Sequence, residues 1–318
     1  MRREGVISAK AAIHVFVALL AAFLLGCSTA PSPFGGLEDR VWDVRAARFV
    51  SEEELAMQLR QARYRLLGEV HDHPAHHRLR ASLIGQLAVP GESVEVYFEQ
   101  FDREHDAALR EAQGAGADAD ALARAGRLGR DWNWPLHRPL VAAALSAKYP
   151  VRAANLADVE TRRIAKTGAL GPQDAALAGA LGKADWSAAR EKALRTEVFE
   201  SHCRALPEKL VPAMALAQRS RDAALALALS AAPGGAVLIA GNGHVRRDLG
   251  VPLYLPREAS VASVGFLETR AAESDPRAYA RSAAGEETYD FVWFTTPQPR
   301  PDPCEALRKT RNSLMTLS

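Results

Sequence analysis

Four of the chain's nine histidines and one glutamate fall within nine residues, in the stretch Arg65-Leu-Leu-Gly-Glu-Val-His-Asp-His-Pro-Ala-His-His77. These are Glu69, His71, His73, His76 and His77. A second polar group, Asn242 to Asp248 with His244 and Arg246, follows the run Gly235-Ala-Val-Leu-Ile-Ala-Gly241. Glu99 and Asn155 stand at the ends of two further apolar runs. Imidazoles and carboxylates gathered in one cleft can bind a transition metal, act as general acid and base, or ligate haem and hold its propionates. Each residue also has a plainer reading. A histidine at a helix start can be a surface cap, and Arg246 and Arg247 can be solvated cations.

These groups meet only if their carriers share one sheet. Tyr64 to Gly68 predicts a short buried strand, and Leu79, Leu83, Ile84 and Leu87 recur at helical spacing after it. Pro74 suits the first turn of that helix, and Asp72 or His73 can cap it. His76 lies on the helix face of Leu79 and Leu83, which directs it towards the cleft. Val94 to Glu99 alternates and is β-branched or aromatic, Val151 to Asn155 reads as a further strand, and Gly235 to Ala240 as a core strand covered on both faces. If these strands run parallel, their polar ends converge on the carboxyl edge of the sheet, where open α/β folds place ligands. Val41 to Phe49 predicts an edge strand and Glu52 to Arg63 a short helix. Asp131 to Pro139 predicts an aromatic, proline-rich turn before a helix from Leu140 to Lys148. Val261 to Leu267 and Tyr289 to Phe294 add two strands, and Asp158 to about Ala232 is helical by pattern. The fold class is therefore α/β: a central, largely parallel sheet flanked by helices, with an inserted helical lobe.

The chain has 318 residues, 48% hydrophobic and 25% charged, with a net charge of +2. This suits one large domain and gives no footprint for nucleic acid. A helical His-Glu-x-x-His, a Gly-rich phosphate loop after a strand, a Gly-x-Ser-x-Gly elbow and a Cys-x-x-Cys pair are all missing from the sequence, which argues against zinc-protease, nucleotide, serine-hydrolase and thiol-redox chemistry. At the N-terminus Arg2, Arg3 and Lys10 precede an apolar run from Ala11 to Leu25 that has the shape of a signal peptide. It ends in Leu24-Leu25-Gly26-Cys27, similar to a bacterial lipobox, with Ser28 favouring the outer membrane. Residues 1–26 thus read as a lipoprotein signal peptide with Cys27 lipidated, and 27–40 as a tether. Residues 41–305 read as the α/β domain, its helical lobe at about 158–232, and 306–318 as a tail. Cys203 and Cys304 form either a disulfide or two separate thiols; in an exported chain an even pair favours the bond.

Gly68-Glu69-x-His71 with His76-His77, Phe98-Glu99, Ala154-Asn155, Ala217-Gln-Arg-Ser-Arg-Asp222 and Gly241-Asn-Gly-His-Val-Arg-Arg-Asp-Leu-Gly-Val-Pro252 together resemble the ChaN family of haem-binding lipoproteins. Tyr289-Asp-Phe-Val-Trp-Phe-Thr and Asp302-Pro-Cys304 resemble its ending. The resemblance spans about residues 60 to 305. It implies haem bound between subunits of a homodimer, with a tyrosine on iron and a histidine near the propionates, and a role in iron or haem uptake with a possible outer-membrane receptor as partner. The tyrosine does not carry over: His137 stands where it is expected, and Tyr97, Tyr254 and Tyr149 are other candidates for the axial ligand. Glu69, His71, His76, His77, Glu99, Asn155, His244 and Arg246 are the expected haem, propionate or catalytic cluster. The same motifs resemble the wider Tiki and erythromycin-esterase group. The alternative is therefore a metal-dependent hydrolase, protease- or esterase-like, with Zn or Mn held by Glu69, His71 and His244 and Glu99 in the catalytic cluster.

Overall fold

In the computed structural model, residues 36–305 are described, apart from 90, 130, 131, 173 and 303. The expected signal peptide, Cys27, most of the tether and the tail from 306 lie outside the described residues. The strands in chain order are β1 (Val41–Asp43), β2 (Arg48–Val50), β3 (Tyr64–Leu67), β4 (Val94–Asp102), β5 (Val151–Asn155), β6 (Gly235–Ile239), β7 (Val261–Glu268) and β8 (Phe291–Thr295). They form one 8-stranded sheet in the order β2-β1-β8-β7-β3-β6-β4-β5. From β8 to β5 every neighbour is parallel. β1 and β2 add an antiparallel hairpin beyond β8, so the stretch expected as one edge strand is two, and only β2 lies at the edge.

Alternation along the strands decides what each face buries. Val94, Val96 and Phe98 of β4, with Val237 and Ile239 of β6, pack against Leu55, Leu83, Ile84 and Leu140. Those residues come from α1 (Glu52–Arg60), α2 (Pro74–Gln86) and α5 (Trp134–Ser146). Tyr97, Leu238, Tyr64 and Leu66 face the other way, onto Leu225 and Leu229 of α9 (Val211–Ser230). Each fully buried aliphatic or aromatic side chain contributes roughly 1.5–3 kcal/mol of transfer free energy, so both faces are sealed. Arg65 in β3 is 1% exposed and still fits. Its guanidinium donates to the carbonyls of Leu59, Arg60 and Ala62 at the end of α1, where the helix dipole favours a cation, and it pairs with Glu92.

Between β4 and β5 lie α3 (Asp106–Gly114), α4 (Ala119–Ala125) and α5. Between β5 and β6 come α6 (Asp158–Thr167), α7 (Ala175–Lys183), α8 (Ala188–Ser201) and α9. The aromatic turn expected at 131–139 is largely helix. Pro135 falls in the first turn of α5, where its missing N–H has no partner to lose, and Pro139 removes only the amide that would reach the Pro135 carbonyl. Cys203 and Cys304 are disulfide-bonded, their Cα atoms 5.4 Å apart, which fastens the end of the described chain to the turn after α8.

Candidate functional site

Parallel strands bring Gly68, Glu99, Asn155 and Gly241 to one edge of the sheet, and two buried carboxylates form its chemical centres. Consecutive residues of a strand point to opposite faces. Gln100 therefore joins Glu69 on the α2 and α5 face, while Glu99 turns towards α9.

The first centre is built on Glu69, 2% exposed. Its Oε1 accepts from His71 Nδ1 at 2.7 Å and from Gln100 Nε2 at 3.1 Å, and its Oε2 pairs with Arg80 of α2. Two further imidazoles close round it. His77 Nε2–H donates to the carbonyl of His71 at 2.9 Å, so its Nδ1 carries a lone pair, which faces Arg80 Nη2 at 3.2 Å and Glu69 Oε2 at 3.5 Å. His137 Nδ1–H donates to the carbonyl of Asn133 at 3.0 Å, so its bare Nε2 faces Glu69 Oε1 at 3.5 Å. Burial lowers both to about 4 and keeps them neutral. Burial also lowers Arg80, to about 9, so it remains the cation that balances Glu69. Glu69, His77 and His137 have the spacing of a metal site. The guanidinium of Arg80 sits among the same atoms and supplies the positive charge a metal would bring.

His71 differs from its neighbours because its side chain is half exposed. Glu69 holds its Nδ1 and so the ring orientation, and burial lowers its pKa. Gly241 makes room for it: a Cβ there would stand 3.1 Å from Nε2 and 3.0 Å from Cε1. Trp132 meets the ring edge to face, centroids 4.9 Å apart, and reaches His137 at 5.5 Å.

The second centre is Glu99, 1% exposed, and it is saturated. Its Oε2 accepts from the Gly241 amide at 2.7 Å, and its Oε1 accepts from Arg221 at 2.5 Å and faces His244 Nε2 at 3.2 Å. His244 Nδ1 is 2.6 Å from Asp222. Asn155 accepts from Arg221 Nε at 3.2 Å and so holds the guanidinium in place. Burial alone would discharge His244, but Glu99 and Asp222 overcome it and hold the imidazolium up to about 9. Burial pushes Glu99 up as well; His244 and Arg221 more than reverse this and keep it well below the carboxylate range. For Asp222 burial prevails over His244 and raises it. Behind Asp222 and Gly243 lies a cavity of about 190 Å³ that reaches His202 and Met214.

The structure thus gathers Glu69, His71, His77 and His137 in one centre, and Glu99, Asn155 and His244 in the other. His76 is elsewhere: expected to point into the cleft, it is fully buried under the loop. It accepts from the Val70 amide at 2.9 Å and donates to Thr295 Oγ1 at 2.8 Å, with its pKa lowered by burial to about 2. Arg246 is paired with Asp248 and Glu197 in the wall of a separate cavity of about 760 Å³ between α8 and Tyr279–Tyr289. Tyr97 is 4% exposed with its hydroxyl on Glu95, and the Tyr254 hydroxyl accepts from Arg219. Sequence reading assigned no role to Arg80, Gln100, Arg221 or Asp222. The signal for the last two is a run of five polar residues, Gln218 to Asp222, in the middle of the otherwise apolar α9, where Asp222 is buried.

An α/β fold with paired carboxylate–imidazole centres at the carboxyl edge of a parallel sheet defines the class. The chain belongs, more particularly, to the family described as haem-binding uptake, Tiki superfamily, ChaN, whose model matches residues 55–255. Among solved structures it is similar to ChaN of Campylobacter jejuni with cofacial haem, at 21% identity over 80% of this chain and 95% of that one, TM-score 0.64, a likeness of fold. An erythromycin esterase, EreC in its open conformation, matches at 13% identity over 85% of this chain and 86% of that one, with a TM-score of 0.43. The type III effector HopBA1 matches at 15% over 77% and 92%, with a TM-score of 0.43. No curated protein matches in sequence.

Proposed function

We propose that this chain is a haem-binding lipoprotein, anchored in the bacterial outer membrane and facing the periplasm, that serves iron or haem uptake and dimerises around its haem. The family match supports haem. The observation that carries the reading is a carboxylate-anchored imidazole at the sheet edge, the half-exposed His71 beside Gly241. A neutral imidazole suits haem iron, and the indole of Trp132 offers an apolar wall. The Cys203–Cys304 bond agrees with an oxidising compartment, and the Ala11–Cys27 pattern supports the lipid anchor. Its delivery partner would be an outer-membrane haem or iron receptor. The test is a haem titration of the soluble form beginning at Ser28, followed by absorbance and gel filtration. A saturable Soret band with a shift from monomer to dimer is expected; a featureless titration would end the reading.

One observation favours a second reading, a metal-dependent hydrolase: Glu69 backing His71 is also the geometry of an oriented general base. The purified protein would then hold near-stoichiometric zinc or manganese and lose activity to a chelator. His244, with both nitrogens engaged by carboxylates, would have to give up its proton to join such a site.

A further inference from the structure

The edge of the sheet opposite the histidines carries a polar site of its own. There α1 ends and β3, β4, β6 and β7 begin. A cavity of about 300 Å³ at this edge is lined by Arg60, Arg63 and Arg65, with Glu92, Ser260 and the turn at Gly234–Gly235. Three guanidinia therefore share the space with a single carboxylate, an excess of two positive charges. Glu92 pairs with Arg65 Nη2 at 2.6 Å. Among the described residues Arg60 and Arg63 have no ion-pair partner. Each donates to one backbone carbonyl, Arg60 Nε to Ala56 and Arg63 Nη2 to Ala232. The Ser260 hydroxyl accepts from the Arg63 amide at 2.9 Å and fixes that residue at the rim.

Arg65 is the sharper observation. It is 1% exposed, and its Nε and Nη2 are spent on the carbonyls of Leu59, Arg60 and Ala62 and on Glu92. Its Nη1 is buried and has no hydrogen-bond partner. Buried donors of a charged group are ordinarily paired, because leaving one unmade costs its full desolvation.

We propose that this cavity binds a phosphomonoester group. Guanidinium forks match the oxygens of a phosphate, and the group carries about −1.5 to −2 charges near pH 7, which meets the excess. A single carboxylate would meet only half of it. The space is at the small end of ligand cavities and suits the phosphate with a short organic stub. The site shares no residue with the Glu69 and Glu99 centres, so the inference is independent of the haem reading. A soluble phosphate ester and a lipid headgroup ending in phosphate offer the same chemistry.

The experiment takes the soluble form beginning at Ser28 at low salt. Titration calorimetry reads its binding of inorganic phosphate and glycerol 3-phosphate. Cosedimentation reads its binding to phosphatidylcholine vesicles with and without phosphatidic acid. Arg60→Gln with Arg63→Gln removes two cations from the cavity. Ser260→Asp sets a carboxylate there without touching an arginine, should the first pair unfold. Arg162→Gln with Arg204→Gln removes the same charge from exposed positions in the helical lobe. Circular dichroism establishes that each variant is folded. Wild type is expected to bind phosphate saturably, one per chain, and the cavity pair to lose about tenfold or more, as the loss of hydrogen bonds to a charged group implies. Ser260→Asp should weaken binding as well, and the lobe pair should keep wild-type affinity. Cosedimentation that needs phosphatidic acid and is lost in the cavity pair assigns a lipid headgroup; phosphate and glycerol 3-phosphate binding without cosedimentation assigns a soluble ester. No saturable binding of any of these probes by wild type, or equal losses in the cavity and lobe pairs, would overturn the proposal.

Discussion

The Glu69 and Glu99 centres are made of the same parts and behave as opposites. Each has a buried carboxylate at the end of a central strand, an arginine from a helix and a nearby imidazole. At Glu99 the imidazole is an imidazolium between two carboxylates, and both oxygens of Glu99 and both nitrogens of His244 are engaged. At Glu69 the buried imidazoles are neutral, one buried arginine carries the compensating charge, and one imidazole, His71, is half exposed. The difference lies in the count of anions. A second carboxylate, Asp222, lies against His244 and helps hold its proton; among the described residues only Glu69 comes within ion-pair distance of His77 or His137, and burial strips theirs. The Glu99 centre is ionised and closed, whereas the Glu69 centre pairs neutral imidazoles with a half-exposed edge.

The largest expected effect comes from removing the cation. Arg80→Met leaves Glu69 buried without its counter-ion and should cost about 3–5 kcal/mol in urea denaturation. Arg221→Met removes one of two cations at Glu99, whose second oxygen keeps the Gly241 amide, and should cost about 1.5–3 kcal/mol. Equal losses would show that the two carboxylates are compensated alike and would erase the contrast.

Acid and alkali should separate the centres next. His76, His77 and His137 fall from 6.5 to about 2, 4 and 4, so their contribution is present above pH 6.5 and is lost as pH falls towards 4. His244 rises from 6.5 to about 9, so its contribution is complete below pH 6.5 and is lost as pH rises through 9. Melting temperature against pH should therefore fall on both sides of a maximum near pH 6.5. Asp222→Asn should flatten the alkaline limb alone and His77→Gln the acid limb alone. If Asp222→Asn changed only the acid limb, the assignment of charge would be reversed.

The smallest effect is expected where the centres meet. The Gly241 amide holds Glu99 while its bare α-carbon faces His71. In Gly241→Ala the half-exposed His71 ring can swing aside, so stability should drop by only about 1 kcal/mol. The Soret position of bound haem should still move. An unchanged band would mean that the space beside Nε2 plays no part in binding.

Much of this was legible in the sequence, for definable reasons. Val151–Asn155 and Gly235–Ile239 read as strands because short apolar runs ended at polar or glycine-rich turns, and parallel pairing then fixed which polar residues met. What escaped reading was burial of charge. Arg65 and Arg80 look like surface residues in any pattern, and only the carbonyls of α1 and the carboxylate of Glu69 make their interior positions tenable. His76 pointed to the cleft by helical phase, but phase does not reveal that β8 would arrive above it with a threonine. The start of α5 was hidden by Pro135 and Pro139, which read as a turn when the helix N-terminus is not yet known.

The loop that carries His71 is finished by the far end of the chain. His76 bonds Thr295, His73 bonds the carbonyl of Thr296, and Asp72 pairs with Arg300, partners 219 to 228 residues later. A ribosome delivers Glu69 long before it delivers those partners. The histidine loop therefore takes its final shape only after residues 295–300 have been made, so a chain that stops before them should bury its hydrophobic layers and still lack a properly set His71 loop.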